Sequence, residues 1–380
     1  MATAGTEPAA PDVARPWRDR LAAVPRWVAD HPWQVAFWLT ALVAGIAMRY
    51  WILHTSLGTA DLDESTVGIQ ATRFNRGKLD TFFLNQAYGG TLETGLVALT
   101  FRVFGTSVVT LKLVPMVSVL VAAVLTYRTA VRLELGRMGR WVAPVLVWCG
   151  PAYAVLFSTK ERGFYGVALV LAAAYPLLAL RLAERPARHD VLLLGACIGL
   201  GWWQTPLTFL VAVPAVLWLV RARPSIVREL GWAAIPAAVA ALPWLMWNAG
   251  HDWASLHPAS GFGTTWADRY VDWMVRTRVV MGLETPFDDH RSLTDLRWAG
   301  VVLLGLVVAG ATYRTRRSAP GLLAALAVGY GLLYALNTLA AVVGADPRYT
   351  YLMDPAVALC LAALLPDIQH DSARLALSLL

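Results

Sequence analysis

The chain is 380 residues long, 57% hydrophobic and only 15% charged, against roughly 45–50% apolar and about 25% charged in ordinary soluble domains. This excludes a water-soluble globular protein, because polar surface is too scarce and the excess apolar residues must face lipid. The net charge of +7 comes from 32 basic and 25 acidic residues, with Lys78, Lys112 and Lys160 the only lysines; no polybasic run with interleaved aromatics marks nucleic-acid binding, and a basic excess in a membrane protein reflects cytoplasmic loops instead.

Residues 1–32 form an Ala-, Pro- and Arg-rich tail with Arg15, Arg18, Arg20 and Arg26 ahead of the first apolar run. No short hydrophobic region with a small-residue cleavage site follows, which predicts an uncleaved signal anchor with its amino end in the cytoplasm. A helix needs about 20 mostly apolar residues to cross the hydrocarbon, fewer where the bilayer thins. Ten candidate spans follow, near 33–53, 109–131, 141–158, 163–182, 190–203, 205–221, 230–247, 298–313, 320–341 and 352–366. The domain plan is therefore a tail at 1–32, an all-α polytopic bundle over 33–366 and a carboxyl tail at 367–380.

Arginine placement orients this bundle. With the amino end inside, the stretches 132–140, 181–188, 221–228 and 314–317 each place three arginines in the cytoplasm, as short inner loops require. Both tails then lie inside. The apolar stretch 91–104 carries Glu93 and Arg102, and counting it as a full span would move the arginines of 132–140 outside; it reads as a partial or interfacial helix. Two outer segments, 54–90 and 248–297, are long enough to be functional. In the second, Trp266, Tyr270, Trp273 and Met274 recur at helical spacing among Asp268, Asp272, Arg276 and Arg278, the pattern of a helix lying on the outer membrane surface. Cys149, Cys197 and Cys360 each sit in apolar runs without ligand spacing, so they read as packing residues.

The densest acidic cluster is Asp61, Asp63 and Glu64, in the first outer segment. Three carboxylates beside a membrane repel one another and lose hydration, which suits one of them to a raised pKa and service as a proton acceptor. A solvated cap on the following helix accounts for them equally well, and the two roles are compatible. Beyond a short helix closed by Gly77 comes Tyr88-Gly89-Gly90-Thr91-Leu92-Glu93, where paired glycines permit either a tight turn or a close backbone approach. A second charged knot, Lys160-Glu161-Arg162 with Tyr165 one turn on, fills a short outer loop. Its cations suit a phosphate, with Glu161 orienting them or aiding a cation; a loop made polar only to leave the membrane is the alternative. Arg348-Tyr349 opens the last span on the same side. Carboxylates and phosphate-binding cations on one face of an apolar bundle point to a lipid-phosphate substrate.

No G-x-x-x-x-G-K-[ST], no G-x-G-x-x-G after a strand and no G-x-S-x-G occurs, so energy would arrive with the substrate rather than from a nucleotide. No cofactor signature is present, although Asp288-Asp289-His290 has donors suited to a divalent cation.

Asp63-Glu64 after the first span, the short helix ending at Gly77, YGGTLE, the VFG at 103–105, PWLMWNAGHDWAS at 243–255 and RYTYLMDP at 348–355 resemble integral-membrane GT-C glycosyltransferases. The nearest likeness is to the bacterial branch related to protein O-mannosyltransferases and aminoarabinose transferases, over roughly residues 33–366. The resemblance implies an inverting transferase of a bacterial plasma membrane. It would move a sugar from a polyprenyl-phosphate carrier to a glycan, lipid or protein hydroxyl on the outer side. By position, Asp63 would be the general base, Glu64 its partner in the acidic pair, and Lys160, Arg162 and Arg348 the cations near the donor phosphate. Asp61, Tyr88, Glu93, Glu161, Tyr165 and Tyr349 complete the candidate substrate-binding set. Two departures stand out: the tyrosine-diglycine segment replaces the family's His-Pro-Pro, and no soluble domain follows the bundle, which leaves acceptor recognition to 248–297 or a partner. The competing reading is a flippase for a lipid-linked sugar. Intramembrane charge would favour it, but only Arg49, Lys112 and Arg128 lie in the spans concerned.

Overall fold

A computed structural model describes residues 29–256, 265–285, 292–336 and 347–366. The described elements are helical, apart from two isolated bridges, Phe82 with Gly90 and Glu284 with Ser292. In chain order the helices are α1 Pro32–Leu53, α2 Leu62–Asn75, α3 Leu92–Phe104, α4 Val108–Arg132, α5 Arg137–Cys149, α6 Ala152–Phe157, α7 Tyr165–Glu184, α8 Arg188–Gln204 and α9 Phe209–Ala222. They continue with α10 Ile226–Ala240 and α11 Leu242–Ala249, then α12 Trp266–Val280, α13 Ala299–Arg314, α14 Leu322–Leu336 and α15 Asp354–Ala363.

Burial ranks these helices. The most apolar window of α7 is 72% buried, that of α4 50% and that of α1 only 17%, so α7 is a core helix while α1 turns most of its surface outward, as lipid contact allows. Helix α4 packs along α7 and α5, α9 joins α7 to α14, and α15 closes against α5 and α13. Helices α8 and α10 approach closely through Gly195 and Gly199, where an added Cβ would stand 2.1 Å from the carbonyl oxygens of Ala233 and Ala237. This is the small-residue spacing that lets membrane helices meet backbone to backbone.

Helices α1, α4 and α7 are individually long and apolar enough to cross a membrane, and the pair α10–α11, bent by 62°, makes a fourth crossing if taken as one. The remaining candidate spans are shorter helices, so helix length does not by itself yield the ten crossings counted from hydropathy. Two expected spans are broken. The stretch 141–158 divides at Gly150-Pro151 into α5 and α6, because Pro151 lacks an N–H and disfavours helical backbone at the residue before it. The stretch 230–247 bends at Ala241, just ahead of Pro243. The stretch 91–104 is a separate helix, stopped at Gly105 with φ of 83°, as charge parity required. The end of the 320–341 span falls outside the described residues.

The first outer segment has its own small core. Val67 and Ala71 of α2, Phe83, Val97, Ala98 and Phe101 of α3, and Leu111 and Val114 of α4 bury one another. Gly89, at φ of 75°, and Gly90 serve this packing: a Cβ at Gly90 would lie 2.5 Å from the Trp203 oxygen, and the Gly90 N–H donates to Gln204 O at 2.8 Å. The diglycine is therefore a close approach to the end of α8 rather than a cradle for ligand. In the second outer segment, α12 starts at a Thr265–Asp268 capping box. It is seated on α13 and α14 by Trp273, Arg276, Thr277 and Val280, with Trp266, Tyr270 and Val271 left exposed. All three cysteines are free.

Candidate active site

The acidic cluster is sorted by the phase of one helical turn. Asp61 is the N-cap of α2, its Oδ1 accepting from Glu64 N–H at 3.0 Å while Glu64 Oε2 accepts from Asp61 N–H at 3.2 Å. This reciprocal box satisfies two N–H groups that the helix start leaves open. It also fixes the roll of α2, so the three carboxylates meet different surroundings.

Glu64 points inward and is fully buried. Its Oε1 receives Lys112 Nζ and the Glu161 N–H at 3.1 Å, and its Oε2 receives Lys160 Nζ at 3.2 Å. Asp61 faces sideways: Oδ2 lies 3.1 Å from the Arg162 guanidinium and 3.8 Å from Lys160 Nζ. Lys160 also donates to Thr59 O at 2.8 Å, and Arg162 rests over the Phe157 ring at 5.2 Å. Asp63 faces out with a side chain 39% exposed, and Arg348 NH1 stands 3.5 Å from its Oδ2. The half-exposed Tyr88 stacks edge-on near Phe164. Burial and the negative charge of Asp63 push its phenol up, with Arg348 opposing, so the tyrosine shares the field of that pair.

The expected raised carboxyl is not Asp61. Burial alone would raise it, but the bond from Glu64 N–H and the charges of Arg162 and Lys160 hold it below its ordinary value. The raised carboxyls are Glu93 and Glu161, behind the site. Both oxygens of Glu93 accept from the first N–H groups of α7, Gly166 at 3.1 Å and Val167 at 2.8 Å, where the helix dipole favours an anion. Glu161 Oε1 accepts from Gly163 N–H at 3.0 Å. Burial first and then the charge of Glu93 push Glu161 well up. Burial also raises Glu93 against its bonds to Val167, Gly166 and Glu161. The pair thus shares a proton. Glu93, Glu161 and Tyr165, expected among the substrate contacts, are instead sealed from solvent; they form the back wall that shapes the 159–163 loop. Tyr349 is held aside, its carbonyl accepting from Tyr330 OH and its ring beneath Arg276 at 5.5 Å.

This proton has a measurable consequence. The folded pair keeps it above the ordinary carboxyl range of about 4 to 5, where the unfolded chain has released it. Its contribution to stability therefore declines as pH rises through that window toward the raised values. Thermal unfolding in detergent is expected to fall more steeply with pH for the native chain than for Glu161→Gln; parallel pH slopes would refute the shared proton.

Lys112 is the functional residue that sequence reasoning passed over. It sits in an apolar helix and reads as interfacial, yet a lone ammonium within such a run demands a carboxylate, and the fully buried Glu64 supplies it. Among the described residues no group of three or more His, Cys, Asp or Glu is arranged for a metal ion. The Asp288-Asp289-His290 candidate lies outside them, as do Arg15, Arg18, Arg20 and Arg26.

No family model and no curated protein matches this sequence. Among solved structures it is similar to ArnT from Cupriavidus metallidurans in the apo state, with a TM-score of 0.65 over 92% of this chain at 13% identity. The chain has the ArnT fold. It spans 62% of the length of that structure. At this identity the likeness concerns architecture, and it bears out the all-α GT-C bundle expected from the sequence. The ArnT-like fold makes the chain an integral membrane protein of apolar helices.

Proposed function

We propose that the chain is an inverting glycosyltransferase that takes a sugar from a polyprenyl-phosphate carrier and passes it to an acceptor hydroxyl on the outer side of a bacterial plasma membrane. The observation that carries this reading is the division of the acidic cluster: of three neighbouring carboxylates, Asp63 keeps an exposed oxygen face and is met by Arg348, while Lys160 and Arg162 lie against Asp61 on the same turn. The ArnT-like fold supports a lipid-linked sugar as donor.

In this mechanism Asp63 takes the proton of the acceptor O–H as that oxygen bonds to the anomeric carbon. The bond from that carbon to the phosphate oxygen breaks, and the leaving polyprenyl phosphate carries away the electron pair. Arg348, Lys160 and Arg162 stabilise the growing phosphate charge, worth several kcal/mol where such groups are already oriented. Glu64 acts through position, since no oxygen of it reaches solvent.

Purified protein in proteoliposomes, given a radiolabelled polyprenyl-phosphate sugar and a hydroxyl acceptor, is expected to release polyprenyl phosphate in step with labelled product. Movement of intact donor across the bilayer without release would refute the transferase reading and establish the flippase.

A further inference from the structure

We infer that Lys112 is the positioning residue that aims Asp63 and spaces it from the phosphate-binding loop, a role that rests on the transferase reading. Lys112 lies in the second turn of α4, fully buried in one of the most apolar helices of the chain. Its ammonium is tied to two other segments at once, pairing with Glu64 Oε1 on α2 and donating to the carbonyl of Thr159 at 3.0 Å. The same Glu64 oxygen also takes the Glu161 N–H at 3.1 Å, so the charge pair is stitched into the loop on both sides of Lys160.

Stability alone does not account for such a pair. A buried ion pair can often be replaced by well-packed apolar side chains with no loss of stability, or with a gain. What apolar side chains do not supply is direction. Neighbouring residues on a helix stand about 100° apart around its axis, so fixing Glu64 toward Lys112 fixes Asp63 toward Arg348. The bond to Thr159 then sets the height of Lys160 and Arg162 relative to Asp61, since those residues follow directly in the chain. One compact cation with three donors thereby determines where the base and two of the phosphate-binding cations stand.

The test uses full-length Lys112→Met and the charge-balanced Lys112→Met/Glu64→Leu, with Asp63→Asn as control, each purified in detergent and assayed with the radiolabelled polyprenyl-phosphate sugar. The double variant is expected to melt within a few degrees of the native chain or above it, with kcat down about 100-fold, the loss typical of a displaced catalytic group. The donor KM should change by less than about threefold, because the phosphate-binding cations remain. A merely structural pair would lower the melting point and leave the kcat of the folded fraction intact. Should the double variant not fold, Lys112→Met carries the same kcat expectation, since Glu64 retains Lys160 and two backbone N–H donors. Native kcat in a folded Lys112 variant, with Asp63→Asn inactive, overturns the positioning role and leaves the transferase reading standing. Native kcat in Asp63→Asn overturns both.

Discussion

Asp63→Asn is expected to lose sugar transfer by about 10²–10⁴-fold, the usual contribution of a positioned general base, while its melting temperature stays close to that of the native chain. The reason is geometric. Asp63 is not the N-cap and takes no part in the Asp61–Glu64 box, and its partner Arg348 is a long contact between partly exposed groups. Such surface pairs contribute about 0–1 kcal/mol, so the variant isolates chemistry from folding. Asp61→Asn makes the informative contrast: it keeps an N-capping side chain but loses a charge that faces Arg162 and Lys160. It should therefore weaken donor use more than the chemical step. If the two variants lose the same fraction of kcat at saturating donor, the assignment of base to Asp63 alone is wrong.

The largest effect on stability is expected at Glu64. Glu64→Leu leaves the Lys112 ammonium buried with only the Thr159 carbonyl and separates Lys160 from its nearest carboxylate. Removing one partner of a buried pair costs about 3–5 kcal/mol, enough to depress the melting transition sharply. Adding Lys112→Met to that variant should restore most of the loss, because no buried charge is then left alone. A double-mutant cycle on melting in detergent measures the coupling; additive effects would mean that the two side chains do not act as a pair.

The main architecture was legible because apolar run length and arginine parity are one-dimensional signals, and α1, α4 and α7 appear where those runs lie. The acidic pair and the cations of 160–162 and 348 were legible too, since charged residues on one face of so apolar a chain are few. Their division of labour was not. Whether Asp61, Asp63 or Glu64 faces outward depends on the phase of α2, and that phase is set by the contact of Glu64 with Lys112, 48 residues away in the chain. Glu93 and Glu161 were misplaced for a related reason: a carboxylate next to a polar loop looks solvent-facing until the N-terminus of α7 is seen to claim it. The breaks at Pro151 and Pro243 were visible as residues, but hydropathy windows average across them.

The anchoring of Glu93 on the first turn of α7 ties the rear of the site to the most deeply packed of the three long helices. Base and loop cations are thereby mounted on the stiff part of the molecule, whereas Arg348 approaches from another segment through a single 3.5 Å contact. The compliance of the site is thus one-sided. A substrate entering between Asp63 and Arg348 would displace the arginine side first, and the acid would hold its aim while the opposite jaw yields.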